Sequence, residues 1–201
     1  MITIDVVRRE EQKTSKWSGG VTTELAIWPR GADYASRDFG WRVSTARVEL
    51  DESVFTALPG VSRWLMMLDG EIHLAHEGIR ELDMRPFAPV AQFDGGWNTK
   101  STGRCVDVNL MTKKGYTGGL GYVPTGVSSV TVFENCKSES WEAFYCLAPT
   151  LEFSVEYERR LLHKGDFMLL GVSGAHDPID VAITCADNIV SAARVTVKRT
   201  I

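Results

Sequence analysis

The chain has 201 residues, of which 44% are hydrophobic and 24% charged, close to the averages for globular proteins. Gly and Pro occur at ordinary frequency, which excludes collagen-like, low-complexity and disordered classes. A net charge of −4, a pI of about 5.6 and the lack of a basic stripe argue against a nucleic-acid partner.

The residues at the start of the chain predict a cytoplasmic protein. They contain no apolar core of signal-peptide length. No later run reaches the roughly 20 apolar residues that a membrane span needs, so we expect no membrane partner. The four cysteines show no CxxC spacing, which favours reduced, buried thiols over disulfides.

Alternation with period two dominates the chain, and it predicts many short β-strands. An Asp69-Gly70 pair separates two apolar runs within Trp64–Leu74, which is typical of a hairpin. Only the segments 34–38 and 113–116 are candidates for a helical turn. The other expected strands, in chain order, are 3–7, 22–28, 39–49, 106–111, 129–133, 143–147, 151–157, 166–170, 179–184 and 192–198.

The sequence also repeats itself at an offset of 79 residues, which predicts two similar halves. Leu68 then meets Leu147, and Arg80 meets Arg159. Each copy is an apolar strand, a turn, an alternating strand, a charged turn and a leucine. The Gly-rich segment 115–126 is the expected boundary. We therefore expect a barrel with a ligand pocket over residues 1–118 and a second barrel over residues 119–201.

Five motifs in order carry a family resemblance. They are WSGGVTTE (17–24), FGWRVSTA (39–46), FTALPGVSR (55–63), LDGE (68–71) and DVNLM (107–111). Together they resemble the HutD/Ves family of small bacterial bicupins, and the second half adds only a generic cupin pattern.

The resemblance implies an all-β fold of two tandem cupin (jelly-roll) β-barrels packed as a bicupin. It also implies a cytoplasmic protein that binds a small metabolite. HutD members are linked to histidine utilisation and Ves members are described as stress-induced. A sensor or regulator of histidine catabolism, with urocanate or formylglutamate as ligand, is the leading functional expectation.

Metal-binding cupins use a His-x-His pair, a Glu and a later His. Counting back from Gly70, the Glu position falls on Arg63 and the His positions fall on Ala57 and Pro59, or one residue earlier. None is a metal ligand, so we expect no metal and no other cofactor in the first half.

The second half leaves a weaker alternative open. The corresponding positions there are Cys136, Glu142 and His176, a set that could hold zinc. Coincidental spacing is the competing interpretation.

Polar residues around the first cupin ligand region suggest a pocket for a small anionic metabolite. Arginine binds carboxylates through a planar fork, and Asn and Ser supply adaptable donors and acceptors. Tryptophan could wall the ligand, and glycine lets backbone amides approach it. The expected ligand-binding residues are Trp17, Gly20, Thr22, Arg42, Ser44, Arg63, Asp107 and Asn109.

Other interpretations remain open at this stage. Arg42 could instead form a structural ion pair with Asp107 or Glu24. A cupin enzyme is the alternative function, either a metal-free isomerase or hydrolase using Glu24 or Asp107 with Asn109, or a residual zinc enzyme. A third is an interaction protein that forms a homodimer through an edge strand such as Thr3–Val7.

Overall fold

The computed structural model describes residues 1–185 and 190–200. Its elements are β-strands, apart from one short 3-10 helix at Arg9–Glu11, so the predicted all-β class is confirmed. Across these residues no helix has the length and apolarity to cross a membrane. The strands are β1 (Ile2–Val7), β2 (Lys13–Trp17), β3 (Gly20–Trp28), β4 (Trp41–Val48), β5 (Glu52–Val54), β6 (Val61–Gly70), β7 (Ile72–His76), β8 (Arg80–Met84), β9 (Ala91–Asp94), β10 (Thr99–Thr102), β11 (Cys105–Lys113), β12 (Tyr116–Val123), β13 (Ser129–Val132), β14 (Ser140–Cys146), β15 (Thr150–Val155), β16 (Glu158–His163), β17 (Phe167–Val172), β18 (Ile179–Cys185) and β19 (Ala192–Arg199).

The strands form two compact units. The N-terminal unit is Gln12–Leu120, and the C-terminal unit combines Gly121–Ile201 with Met1–Glu11. The sequence predicted a first barrel over residues 1–118, which would include β1. In the structure β1 pairs antiparallel with β17, from Ile2 opposite Val172 to Val7 opposite Phe167. It is an edge strand of its sheet, and its use by a second copy of the chain stays a prediction.

Each unit is built from two antiparallel sheets. The N-terminal unit has a six-stranded sheet, β2-β3-β4-β11-β6-β9, and a four-stranded sheet, β5-β10-β7-β8. The C-terminal unit has a five-stranded sheet, β1-β17-β14-β19-β12, and a four-stranded sheet, β13-β18-β15-β16. With β2 and β3 set aside, the first large sheet reads β4-β11-β6-β9. With β1 set aside, the second reads in reverse β12-β19-β14-β17, so each strand has a counterpart, which agrees with the 79-residue repeat.

Apolar side chains from both sheets fill each unit. In the N-terminal unit the main cluster includes Leu65, Met67 and Phe93 from the large sheet and Ile72 and Leu74 from the small one. These residues alternate along their strands, as one buried face requires. The face that carries Leu65 and Phe93 is therefore the interior face of the six-stranded sheet.

The strands that the sequence did not predict are mostly short or polar. All five residues of β2 are exposed, and β8 and β16 lie at sheet edges with mainly charged side chains. Such strands lack the apolar alternation by which a half-buried strand is recognised in a sequence. The Gly-rich segment contains β12, and Tyr34–Asp38 forms a turn rather than a helix. Cys105, Cys136, Cys146 and Cys185 are free thiols.

Candidate functional site

The pairing of β4, β11 and β6 places the predicted polar residues in rows across the interior face. Arg42, Met111 and Arg63 lie opposite one another and form one row. Side chains at paired positions of a sheet point to the same face, so the two arginines flank Met111 inside the unit.

The next two rows carry the remaining polar residues of the cluster. Ser44, Asn109 and Leu65 form the second row, and Ala46 and Asp107 belong to the third. Successive rows are about 7 Å apart, because a strand rises about 3.3 Å per residue. Five of the eight predicted residues, Arg42, Ser44, Arg63, Asp107 and Asn109, thus share one small area of the interior.

Arg63 is buried without a hydrogen-bonding partner for its Nε. The residue is only 6% exposed, and its guanidinium carbon lies 4.9 Å and 5.3 Å from the ring centroids of Phe55 and Phe93. Nε has no acceptor within the described part of the chain. Burial lowers the pKa of Arg63 to about 10, so the side chain is still a cation at neutral pH.

Asp107 and Asn109 supply two further buried polar atoms without partners. Each Oδ1 lacks a donor among residues 1–185 and 190–200. Burial raises the pKa of Asp107 to about 7, although the charge of Arg63 and the Ala46 amide oppose this effect. The Asp107 carboxyl is therefore close to its titration midpoint at neutral pH.

Arg42, in contrast, has hydrogen-bond partners for two of its three guanidinium nitrogens. Its Nε donates to Glu24 Oε2 at 2.7 Å, and its Nη1 donates to Ser44 Oγ at 3.1 Å. The guanidinium also lies 4.2 Å from the Tyr34 ring centroid. Of the two ion pairs left open by the sequence, the structure has the one with Glu24. We infer that Arg42 and Ser44 shape the wall beside Arg63.

Three predicted residues lie away from this cluster. Thr22 shares the row of Asp107 but is two strands distant. Trp17 and Gly20 lie in the same row, three rows away from the row of Arg42. At the usual rise per residue this separation is roughly 20 Å along the strands. A Cβ at Gly20 would lie 1.9 Å from the carbonyl oxygen of Arg47, so close backbone packing explains this glycine.

His76 is an interior residue that does not belong to the predicted ligand-binding set. It is 1% exposed and its ring lies 4.7 Å from that of Phe93 and 5.1 Å from that of Trp97, between ring centroids. Its Nε2 has no partner in the described chain. The alternation Ile72, Leu74, His76 carried the signal, because it aligns the histidine with two core residues.

The second-half set is engaged in other contacts. Glu142 Oε2 accepts from Arg194 Nε at 3.0 Å, and burial raises the pKa of Glu142 despite this partner. The Cys136 thiol contacts Ser140 Oγ at 3.3 Å. The backbones of Cys136 and His176 form a β-bridge, while Nδ1 of His176 lies 2.7 Å from the Asp177 carbonyl.

These donor sets do not fit the metal that many cupins hold. The carboxylate position of the N-terminal unit is the cation Arg63, and that of the C-terminal unit is neutralised by Arg194. Within the described ranges, no three His, Cys, Asp or Glu side chains converge as ligands.

A separate open groove runs along β7 and β8. It has a volume of about 650 Å³ and is lined by Glu71, Ile72, His73, Asp83, Met84, Arg85, Ala88 and Pro89. None of the eight predicted ligand residues lines it, so it is a different place from the interior cluster.

Two units, each built from two antiparallel sheets with corresponding strand order, define an all-β protein of duplicated, cupin-like architecture. The HutD family model matches residues 9–186, so the chain belongs to the HutD family. No curated protein sequence matches the chain.

Solved structures support the cupin fold. A conserved protein of unknown function from Pseudomonas aeruginosa PAO1 has a TM-score of 0.77 at 20% identity, with 98% of each chain covered. HutD from Pseudomonas fluorescens SBW25 has a TM-score of 0.73 at 21% identity, covering 98% of this chain and 100% of that one. Bacillus subtilis oxalate decarboxylase, described for its Mn(II) centres, has a TM-score of 0.56 at 8% identity, covering 96% and 76%.

Proposed function

We propose that the N-terminal unit binds a small carboxylate-bearing metabolite at Arg63. The observation behind this proposal is a buried guanidinium whose Nε has no acceptor in the described chain. A buried charged group with an unsatisfied hydrogen bond is unfavourable in a folded protein, and the electrostatic attraction of Asp107 does not supply an acceptor for Nε. A ligand carboxylate would compensate the charge with charge-assisted hydrogen bonds.

The surroundings of Arg63 suit a small ligand with a flat or apolar body. Phe55 and Phe93 face the guanidinium, and Asn109 lies in the adjacent row with an unpartnered Oδ1. Apolar walls with few convergent polar groups are the usual composition of small-molecule sites. The HutD name suggests histidine catabolism, so urocanate and formylglutamate are the first ligands to examine, and a sensing or regulatory role is the function that such binding would serve.

The test is calorimetric titration of the full chain with both compounds. Arg63→Met removes the cation but keeps an unbranched side chain of similar length. We expect it to weaken binding about 100-fold, since charged hydrogen bonds contribute about 1.5–3 kcal/mol. Arg104→Met is the matched control, because Arg104 forms only an exposed pair with Asp51. Equal affinity of wild type and Arg63→Met, or no binding by wild type, would contradict the proposal.

A metal-free acid–base enzyme is the second candidate. It is favoured by Asp107, whose pKa near 7 suits proton transfer at neutral pH and whose neighbour Asn109 could polarise a substrate carbonyl. Incubation of either compound with the protein in D₂O, followed by NMR, detects exchange of ligand C–H protons. Catalysed exchange that Asp107→Asn abolishes would support turnover, and exchange at the uncatalysed rate would exclude this proton transfer.

A further inference from the structure

Two hydrogen-bond arrangements are open to the ring of His76. Nδ1 lies 2.9 Å from Thr99 Oγ1. The Thr99 hydroxyl has a single hydrogen, which it can donate either to His76 Nδ1 or to the carbonyl of Trp97, at 3.2 Å. When it donates to Trp97, Thr99 Oγ1 accepts from His76, and the proton of the neutral imidazole is on Nδ1.

In this second arrangement, on which the inference is built, the other ring nitrogen is a bare acceptor. Burial lowers the pKa of His76, and the positive charge of Arg80 adds to the effect, so the neutral imidazole is the dominant form at pH 7. Nε2 is buried and receives no hydrogen bond from the described residues. An unsatisfied buried acceptor is uncommon in folded proteins, which makes it a candidate contact for a ligand.

His76 and Arg63 lie beside the same aromatic side chain. The Phe93 ring is 4.7 Å from the imidazole, between centroids, and 5.3 Å from the guanidinium carbon. The interior thus offers a cationic donor at Arg63 and a neutral acceptor at His76, with an apolar ring adjoining both. Asn109 adds an unpartnered Oδ1 in the row next to that of Arg63, and Asp107 adds another in the row beyond.

We propose that the ligand is a carboxylate that also carries an N–H or O–H donor, with its carboxylate on Arg63 and its donor on His76 Nε2. This inference rests on the proposed function and narrows the ligand class. A dicarboxylate without a donor would bring lone pairs against the acceptors of His76 and Asn109, so the site discriminates against it. His76 is a specificity-determining residue in this arrangement.

A pair of isosteric ligands tests the proposal by calorimetry on the full chain. Urocanate has an imidazole N–H, and 3-(3-furyl)acrylate has the same planar shape and carboxylate but no N–H. We expect wild type to bind urocanate at least ~30-fold more tightly, as one buried hydrogen bond predicts. His76→Phe keeps an aromatic ring and should reduce this ratio to below about threefold.

His73→Phe is the matched control. His73 is exposed and pairs with Asp83 on the outside, so the ratio should stay at the wild-type value. Equal affinity of the two ligands for wild type, with binding still dependent on Arg63, would overturn the inference and leave the proposed function intact. Failure of both ligands to bind would overturn the two together.

A measurement on the ligand-free protein keeps the inference testable if His76→Phe does not fold. The ¹⁵N shifts of the His76 ring report its tautomer directly. We expect a protonated Nδ1 and an unprotonated Nε2 at pH 7. A protonated Nε2 would overturn the assignment of His76 as an acceptor.

Discussion

The two units place opposite charges at the same position of their large sheets. Arg63 on β6 and Glu142 on β14 are related by the 79-residue offset of the sequence repeat. Arg63 lies opposite Met111 and Phe93, and Glu142 lies opposite Thr196 and Leu170. The two units therefore share this position in the sheet but carry opposite charges there.

The two units differ in whether a side chain of the same unit pairs with that charge. In the C-terminal unit Arg194 lies opposite Phe144 and pairs with Glu142 at 3.0 Å. The equivalent position of the N-terminal unit, by the same register, is Asn109, which is neutral. The C-terminal unit is internally compensated at this position, whereas in the N-terminal unit the described residue at the equivalent place, Asn109, supplies no charge to pair with Arg63.

The largest effect is expected when the compensated pair is broken. Glu142→Gln leaves Arg194 partly buried without its anion, and removing one partner of a buried pair costs about 3–5 kcal/mol. We expect a loss of about 3 kcal/mol in the free energy of unfolding by urea. Glu139→Gln, which removes a more exposed pair with Arg199, should cost less than about 1 kcal/mol. Equal losses in the two variants would mean that burial does not distinguish these pairs.

Asp107→Asn should stabilise the ligand-free protein above neutral pH. The folded-state pKa of about 7 exceeds the ordinary value of 3.8, so the folded state retains a proton that the unfolded state has lost. Wild-type stability therefore falls as pH rises from about 4 to 7. We expect Asp107→Asn to gain about 2 kcal/mol at pH 8 and to converge with wild type near pH 4. Thermal unfolding across this range measures the difference, and parallel profiles would refute it.

Arg63→Met should also stabilise the ligand-free protein, in contrast to the loss at Glu142. Replacing an unpaired buried charge with an apolar side chain removes a desolvation penalty, and a gain of about 1 kcal/mol is reasonable. The same variant should lose any thermal shift caused by the ligand. A destabilisation of more than about 2 kcal/mol would show instead that Arg63 has an internal structural partner.

An effect of similar size is expected when the compensated pair is transplanted into the N-terminal unit. Arg63→Glu combined with Asn109→Arg reproduces the Glu142 and Arg194 arrangement. A double-mutant cycle should give a favourable coupling of about 1 kcal/mol, together with loss of carboxylate binding. Zero coupling would show that the two positions are not equivalent.

The sequence predicted the interior strands well, because β4 and β11 alternate and β6 is an apolar run that ends at an Asp-Gly pair. β4, β6 and β11 combine apolar residues with Arg42, Arg63 and Asn109 at period two, which aligns these polar residues on a predictable face. Counting from Gly70 also identified Arg63 as the substitute for a metal-binding carboxylate. Local patterns of this kind are visible in a single sequence.

The extent of the site could not be read from the sequence, because it depends on register between distant strands. Trp17 and Gly20 have the right residue types, but the pairing of β2 with β3 places them far along the sheet from Arg63. His76 has an ordinary sequence context, and its significance depends on the bond to Thr99 and on the ring of Phe93. The bond to Thr99 depends on the pairing of β7 with β10, and the contact with Phe93 arises only when the small sheet packs against the large one.

The position of β1 has a practical consequence for dividing the chain. Residues Arg8 and Arg9 reach Asp166 with a side-chain bond of 2.7 Å and a backbone bond of 3.0 Å, next to the β1 and β17 pairing. A fragment that starts at residue 121 would lack an edge strand and both of these bonds. A single cut therefore cannot release the C-terminal unit whole, whereas residues 12–120 contain every strand of the two sheets around Arg63. During synthesis, β1 cannot pair with its neighbour until residues 167–172 have also been made.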